Sequence, residues 1–460
     1  MPGAGSVFVN SGHPAVLMVA AKWWPLSARM AAALVRLDCI VSVLCPLHHP
    51  LTCVDGVRQV YPLKGIFSMA SMQRALHEGR PDFVIPCDDG VVAQLHAVHK
   101  ADPSLRPLIE RSLGPAEGFP VAESRFELLA KAVEWGIRVP MTRRVTAVED
   151  LERWHDDVAP AAVLKVDGES GGHGVKISRS LNDSIAGWRA FRRPRGSFAA
   201  WKHLIIDRDP LALWARRQKV LRDVTVQQFI QGRPANAMLA CWQGKLLAAV
   251  FVTVVATEGP TGASTIVRLI QNDEMRTAAE RVAAGLKLTG FYGLDFILET
   301  ASGGIGSATA ADCPAYLIEM NPRCTQLGHI ELPEQGSLAA NFNAAMRGQD
   351  RPLITSAITK QTIALFPQAL MAGEACRPYI DASYHDVPSN DTKLLNELML
   401  KSWPQRQWLA RLYHSLQPLD RSEPVVYEAA ETLNADRPQA NEPRRQRAVQ
   451  GVGNALERPV

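Results

Sequence analysis

The stretch Val163-Leu-Lys-Val-Asp-Gly-Glu-Ser-Gly-Gly-His-Gly-Val-Lys-Ile177 joins two short apolar segments through a loop with four glycines. Both segments predict β-strands, because β-branched residues favour extended backbone. The loop glycines, including Gly171, Gly172 and Gly174, let backbone N–H groups approach a polyanion closely. Lys165, on the strand that enters the loop, adds a positive charge suited to a phosphate oxygen. The stretch predicts a hairpin flap over phosphates, and the alternative is an ordinary β-turn.

A second informative stretch is Tyr316-Leu-Ile-Glu-Met-Asn-Pro-Arg323, an apolar strand that ends at its proline. Glu319 and Asn321 are two residues apart, so both are expected on one face, with Ile318 and Met320 on the other. A carboxylate and an amide oxygen suit a hard cation that also keeps phosphate oxygens. With the flap, this stretch predicts a site for a Mg²⁺-nucleotide.

Other acidic residues fit two interpretations each. Asp295 lies in Gly-Leu-Asp-Phe-Ile, a strand that otherwise looks buried, so its carboxylate is expected to be paired in a salt bridge or bound to a metal. Asp88 and Asp89 follow the strand 83–86, at the carboxyl end of a strand where α/β sheets often bind ligands. The interpretation we favour for them is a helix N-cap with a charge at the helix dipole.

Composition narrows the class of protein. The 460 residues are 47% hydrophobic and 21% charged, which suggests two to four globular domains with full cores. The net charge of +4 gives no reason to expect a nucleic-acid partner. Eight cysteines without a C-x-x-C pair indicate reduced thiols in a cytoplasmic protein. The apolar run 14–21 is too short for a membrane span, and no Walker A, G-x-G-x-x-G, H-E-x-x-H or convincing Ser-His-Asp pattern occurs.

Strands alternate with helices between residues 15 and 100, which predicts βαβ units and an open parallel sheet. The Pro- and Gly-rich segment 101–120 is interpreted as a domain boundary. Two long strands joined at Gln243-Gly244 predict a hairpin. The predicted domains are residues 1–119, 120–349 and 350–430, the last an α/β extension. The polar tail 431–460 is predicted to be disordered.

Taken in chain order, these elements resemble the ATP-grasp superfamily over roughly residues 120–345. The resemblance rests on five elements in the right order, although each alone is a weak signal. It implies an α/β protein in which an N-terminal open parallel-sheet domain is followed by an ATP-grasp fold, with two α+β subdomains that clamp a nucleotide. The lid subdomain would be residues 140–226. The matching stretches are Ser124-Arg-Phe-Glu-Leu-Leu-Ala130 with Gly136-Ile-Arg-Val-Pro140, the Lys165 strand with its glycine loop, Val226-Gln-Gln-Phe-Ile-Gln-Gly232, Gly293-Leu-Asp-Phe296 and Leu317-Ile-Glu-Met-Asn-Pro-Arg323.

The resemblance implies a role for each matching residue. Lys165 and the flap glycines would hold phosphates, and Arg125 falls where the family usually has a phosphate-binding lysine. The hinge strand, which includes Gln228, Phe229 and Ile230, would form hydrogen bonds with the edge of the adenine through its backbone. The implied ligands of Mg²⁺ or Mn²⁺ are Asp295, Glu319 and Asn321, and Arg323 would contact substrate or the phosphoryl group.

Two features depart from the family pattern. The hinge carries Gln227-Gln228, and Gly232 is followed by Arg-Pro, where acidic residues are common. The ribose contact is therefore open. The basic stretch 195–222 is also longer than the usual link between lid and hinge, and its sequence assigns it no role.

The resemblance implies an ATP-dependent carboxylate–amine ligase. A carboxylate would attack ATP to give an acyl phosphate, which an amine or similar nucleophile then displaces. Lys165 and Arg323 would carry the catalysis by charge neutralisation. The alternatives are a carboxylase- or phosphotransferase-type enzyme of the same fold, and a nucleotide-binding module without turnover, against which the retained Glu319 and Asn321 argue. The expected partners are small-molecule substrates, without nucleic acid or membrane, and the oligomeric state stays open between monomer and homodimer.

Overall fold

The N-terminal part of the chain forms a four-stranded parallel sheet with the order β3-β2-β1-β4. Strands β1, β2 and β4 are mostly buried because helices cover both sides of the sheet, whereas the edge strand β3 is partly exposed. The computed structural model describes residues 12–167, 174–193, 202–203, 205–211, 214–215, 223–259, 262–300, 310–332, 335–349, 360–416 and 424–427. The elements here are β1 (Ala15–Val19), α1 (Leu26–Arg36), β2 (Ile40–Cys45), β3 (Gln59–Pro62), α2 (Ser68–Gly79), β4 (Phe83–Pro86) and α3 (Asp89–Ala101). The predicted βαβ organisation is confirmed.

The segment predicted as a boundary, residues 101–120, contains a helix, α4 (Arg106–Leu113). Pro107 lies in its first turn and Gly114 follows its end with φ 101°, so the residues that suggested a linker mark the two ends of the helix. Ile109 is buried, and the Ser112 hydroxyl accepts a hydrogen bond from the Val84 N–H at 2.9 Å. The helix therefore packs against β4 as part of the N-terminal layer.

A second, antiparallel sheet follows with the order β5-β8-β6-β7. Two helices cover it, and Trp154 from one of them is fully buried against the apolar strand residues. The Val166 N–H donates to the Gly174 carbonyl at 2.9 Å, which closes the hairpin on either side of the glycine loop. The elements are α5 (Phe119–Glu123), α6 (Arg125–Glu134), β5 (Thr142–Arg144), α7 (Val148–Asp157), β6 (Ala162–Val166), β7 (Val175–Ser178), α8 (Leu181–Arg192) and β8 (Val224–Gln228).

The largest sheet has the order β13-β12-β9-β10-β11-β16-β17, and β18 pairs with β10 at its side. Its first four strands in chain order are long and apolar, and they begin with the predicted hairpin. At the hairpin turn Gln243 and Gly244 have φ of 49° and 83°, as a two-residue primed turn requires. The elements of this part of the chain are β9 (Gly232–Trp242), β10 (Lys245–Thr257), β11 (Ser264–Leu269), α9 (Asp273–Gly285), β12 (Gly290–Glu299), β13 (Ala315–Asn321), β14 (Glu331–Leu332), β15 (Gly336–Ser337) and α10 (Leu338–Met346). Of these, β14 and β15 form a separate two-stranded sheet.

Residues beyond 350 contribute strands to the same large sheet. β16 pairs with β11, and β18 pairs with β10, so strands from both sides of the predicted boundary at 349/350 share one sheet. The division into domains stays a prediction, and the tail 431–460 lies outside the described residues. The elements are β16 (Thr362–Ala364), α11 (Arg377–Ala382), β17 (Tyr384–His385), α12 (Thr392–Leu398), α13 (Trp403–Arg406), α14 (Trp408–Ser415) and β18 (Val425–Val426).

Within the described ranges, every helix is too short or too polar to cross a bilayer. The cytoplasmic location stays a prediction from the cysteine pattern.

Candidate functional site

A cavity of about 390 Å³ lies between the lid sheet and the large sheet. All the predicted site residues that the structure describes line this cavity, whereas Gly171 and Gly172 lie outside the described residues. The N-terminal domain reaches the cavity through Trp24. The predicted residues that line it are Arg125, Lys165, Gly174, Gln228, Phe229, Ile230, Asp295, Glu319, Asn321 and Arg323.

Two buried cations line the cavity, Lys165 from the lid sheet and Arg125 from a helix that packs on the large sheet. Lys165 lies on β6 and is only 4% exposed, and its burial, with the nearby Arg125 charge, lowers the pKa of its ammonium to about 8. Arg125 is the first residue of α6, directly after Ser124, whose hydroxyl caps the helix. A cationic side chain without an anion is costly at such burial, so each cation is expected to have partners.

The guanidinium of Arg125 bridges the two halves of the clamp. Its Nη1 donates to Asp167 Oδ1 at 2.9 Å, just after the lid strand β6, and its Nη2 donates to Glu319 Oε1 at 2.8 Å on the large sheet. Its Nε is buried without a hydrogen-bond partner among the described residues. One N–H donor of Arg125, a residue that lines the cavity, is therefore not used by the described protein contacts.

The acidic side of the cavity is built by adjacent strands. Asp295 on β12 lies opposite Glu319 on β13 and opposite Asn236 on β9. Its Oδ1 accepts from Asn236 Nδ2 at 2.6 Å and its Oδ2 accepts from Asn321 Nδ2 at 3.0 Å. Burial and the neighbouring Glu319 charge raise the pKa of the Asp295 carboxyl. A cation between the two carboxylates would relieve both costs.

The predicted alternation along β13 is wrong at one position. Ile318 was expected on the face of the strand that points away from Glu319. A register shift between Asp295 and Phe296 instead pairs Phe296 with Leu317. The extra residue in β13 is Ile318, which therefore lines the cavity beside Glu319 while Leu317 enters the core. A bulge re-aims a side chain in this way because two residues on one strand face a single residue on the other.

Arg323 links the cavity to the N-terminal domain. It donates through Nε to Asp89 Oδ1 at 2.8 Å and through Nη2 to Asn321 Oδ1 at 3.2 Å. Asp88 is the expected helix cap and accepts from the Val91 N–H at 3.0 Å. Asp89 begins the same helix but also reaches the cavity through Arg323, which the capping interpretation alone did not include.

Sequence reasoning missed two polar residues of the site. Asp167 follows the lid strand directly and precedes the glycine loop, so its position beside the flap was a usable signal. Asn236 lies within the long strand β9, and its pairing with Asp295 depends on the register between two strands about sixty residues apart in sequence. No local signal marks such a residue.

The donor set fits a hard cation bound jointly with a nucleotide. In the described parts of the chain, no cluster of three or more His, Cys, Asp or Glu side chains could hold a metal alone. Two carboxylates and one amide oxygen leave coordination positions for phosphate oxygens, as Mg²⁺ prefers. The half-buried Asp295 carboxylate, whose pKa is raised and which lies beside Glu319, is consistent with this use.

The comparisons with known proteins agree on the fold. Residues 211–326 match the family model of the ATP-grasp domain. No curated protein sequence matches the chain. The N5-carboxyaminoimidazole synthetase from Staphylococcus aureus, solved with ADP, is 13% identical, with 77% of this chain and 83% of that chain covered and a TM-score of 0.53.

Two further solved structures are similar at the same level. The biotin carboxylase domain of the Hydrogenobacter thermophilus 2-oxoglutarate carboxylase, solved with MgADP, ADP and bicarbonate, is 12% identical, with 75% and 72% covered and a TM-score of 0.52. An L-amino acid ligase from Bacillus licheniformis is 14% identical, with 75% and 77% covered and a TM-score of 0.50. The resemblance to the ATP-grasp superfamily is thereby confirmed: a parallel-sheet domain precedes an ATP-grasp fold.

Proposed function

We propose that this chain is an ATP-dependent ligase that activates a carboxylate as an acyl phosphate and transfers the acyl group to an amine or similar nucleophile. One observation carries the proposal: Lys165, Arg125 and Arg323 converge with Asp295 and Glu319 on a single cavity between two sheets. Phosphoryl transfer needs positioned cations and metal ligands rather than a protein nucleophile. This arrangement supplies both.

The nucleotide would lie between the sheets, with its phosphates toward Lys165 and Arg125. Arg125 would exchange its carboxylate partners for phosphate oxygens. The planar guanidinium matches the geometry of a phosphate well. Gln228, Phe229 and Ile230 border the same cavity and would contact the base. Asp295, Glu319 and Asn321 would hold Mg²⁺ or Mn²⁺, which when bound supplies charge neutralisation at the phosphates.

The reaction balances without a residue acting as nucleophile. A carboxylate oxygen of the substrate attacks the γ-phosphorus, and ADP leaves with the electron pair of the broken P–O bond. The amine then attacks the acyl carbon, inorganic phosphate leaves, and the amine loses a proton. Lys165 and Arg323 would stabilise charge that develops on the transferred group.

A carboxylase-type enzyme is the second candidate. It is favoured by the similarity to a carboxyaminoimidazole synthetase and to a biotin carboxylase domain solved with bicarbonate. In that case bicarbonate would take the place of the organic carboxylate. A nucleotide-binding module without turnover is disfavoured because such a module has no need of two half-buried carboxylates beside the cations of the cavity.

The test is a screen for ADP and phosphate release from MgATP. Carboxylates and bicarbonate are supplied alone and with amino acids or other amines, and the Glu319→Gln variant serves as the matched inactive control. Release that needs both an organic carboxylate and an amine supports the ligase, and release with bicarbonate supports the carboxylase. If MgATP binds in calorimetry but no combination releases ADP, the enzymatic proposal fails.

A further inference from the structure

One charged side chain of the N-terminal domain, that of Asp89, contacts a residue that lines the cavity, Arg323. Asp89 Oδ1 accepts from Arg323 Nε at 2.8 Å, with the two side chains 35% and 16% exposed. The residues are 234 positions apart in sequence. A charge-assisted bond at this burial fixes a guanidinium more firmly than a surface pair does.

The two hydrogen bonds of Arg323 set the direction of its remaining donors. Nε is taken by Asp89 and Nη2 by Asn321, so Nη1 has no protein partner among the described residues while the side chain lines the cavity. The planar guanidinium therefore presents a free edge to whatever occupies the cavity.

Asp89 also offsets the attraction between Arg323 and a second carboxylate, that of Asp295. Arg323 lies close enough to Asp295 for that carboxylate to stabilise its charge. Without a counter-anion on the other side, the guanidinium would turn toward Asp295 and compete with a metal ion there. Asp89 supplies that counter-anion from the first residue of α3, where the helix dipole also favours a carboxylate.

The basic stretch 195–222 also contributes a residue that packs near the start of α3. Leu211 is 4% exposed and belongs to the core of the N-terminal domain, although it comes from the segment between α8 and β8. A Cβ at Gly90 would lie 2.8 Å from Leu211 Cδ1, so this leucine packs directly on the residue that follows Asp89. The described part of this stretch therefore packs against the start of α3.

We propose that Asp89 is a positioning residue for the ligase reaction. It holds Arg323 so that the free edge of the guanidinium faces the transferred or acceptor group, and Leu211 packs against the start of α3 and so helps to fix the position of Asp89. The inference rests on the proposed function for its catalytic consequence. Asp89 itself need not touch substrate.

The first test is a double-mutant cycle with Asp89→Asn and Arg323→Lys. Loss of the charge-assisted bond should lower kcat for ADP release on the order of 10- to 100-fold and leave KM for MgATP nearly unchanged. Because Asp89 acts through Arg323, the double variant should be no slower than Arg323→Lys alone. Additive losses would overturn the proposal.

The matched control is Asp273→Asn, since Asp273 is also the first residue of a helix after a capping residue but is exposed. It should leave kcat unchanged. Leu211→Ala should lower kcat in the same direction as Asp89→Asn but less. Leu105→Ala, in the same core but beyond the other end of α3 from Asp89, should not. Equal losses in the two leucine variants would remove Leu211 from the proposal.

A second readout does not depend on turnover. The arginine Nε–H signals are recorded by NMR, and the Arg323 signal is identified by its loss in Arg323→Lys. It should move in Asp89→Asn and stay in Asp273→Asn. An unmoved signal overturns the pairing. A moved signal in a protein that releases no ADP instead overturns the proposed function and leaves the pairing intact.

Discussion

At the scale of single residues, the charges of the cavity are already balanced against one another. Arg125 spans Asp167 and Glu319, Asp295 accepts from two asparagines, and Arg323 pairs with Asp89. The proposed Mg²⁺-nucleotide would therefore displace several of these contacts when it binds. Binding energy then depends on the difference between two sets of ion pairs.

Glu319→Gln should reduce kcat for ADP release by about 100-fold or more, because the metal loses a full charge from its ligand set. Binding of ADP without metal should be retained or strengthened, since Arg125 is released from Glu319. Calorimetry and a steady-state assay measure the two effects. Glu280→Gln, an exposed change on α9, is the control. Near wild-type kcat in Glu319→Gln would disprove the metal assignment.

Binding of ADP should depend on pH through Lys165. Its folded pKa, lowered to about 8 by burial and by Arg125, means that the ammonium is charged below this pH and neutral above it. Affinity for ADP without metal should therefore fall as pH rises through 8. Lys165→Arg stays charged, so its affinity should be flat over this range. Parallel curves for the two proteins in calorimetry would remove Lys165 from the site.

At the scale of elements, strand register decides which side chains meet. The bulge at Ile318 lets β13 present Ile318, Glu319 and Asn321 to one cavity while Leu317 and Met320 remain in the core. The β9–β10 hairpin begins at its primed turn, and a second bulge between Leu246 and Ala248 then shifts the register of the two strands by one residue. The site geometry therefore depends on a turn and a bulge as well as on its ligands.

Gly244→Ala should lower the free energy of unfolding by roughly 1 kcal/mol or more, since its φ of 83° is unfavourable for a side chain. A Cβ there would also lie 3.2 Å from Lys287 Cα. Gln243→Gly, with φ 49° at the preceding position, is the matched control and should be neutral or stabilising. Denaturant unfolding measures both. Equal destabilisation by the two changes would show that the turn conformation is not the cause.

At the scale of the whole molecule, a buried ion-pair cluster joins three distant parts of the chain. Asp386, near the C-terminal strands, accepts from Arg29 of α1 at 2.7 Å and contacts His329 Nε2 at 2.8 Å. His329 follows the end of β13 by eight residues, so the cluster ties the N-terminal domain and the C-terminal segment to the large sheet. None of its three residues lines the cavity, so its role is structural.

Asp386→Asn should cost about 3–5 kcal/mol of unfolding free energy, because it leaves the Arg29 charge buried without a carboxylate. Asp381→Asn, an exposed change on α11, should change stability by less than about 0.5 kcal/mol. Chemical denaturation at neutral pH provides the comparison. A loss as small as that of the control would mean that the cluster relaxes or hydrates on removal of the charge.

The same cluster predicts a loss of stability in acid. Burial lowers the pKa of His329, and although burial alone would raise the pKa of Asp386, His329 and Arg29 lower it. Both folded pKa values lie below the unfolded ones, so the stabilisation is present above about pH 6.5 and decreases as pH falls. His329→Gln should show a shallower decrease between about pH 7 and pH 5. An equally steep decrease would place the effect elsewhere.

Much of this protein follows from its sequence alone, because the signals are local. The alternation of strands and helices gives the parallel sheet, and Gln243-Gly244 gives the hairpin. The order of Lys165, Asp295, Glu319 and Asn321 gives the ATP-grasp fold and brings the predicted residues to one cavity. Each signal depends on residues within one element or on the order of elements, which a linear sequence records.

Only the tertiary structure decided how those residues pair. The bond from Asp89 to Arg323, the bridge from Arg125 to Glu319 and the packing of Leu211 on the N-terminal core all join residues at least about 120 positions apart. The bulge at Ile318 likewise depends on the partner strand. A sequence states which charges are present. The register of strands and the packing of layers determine which charges come within hydrogen-bonding distance, because those distances arise only when separate elements are assembled.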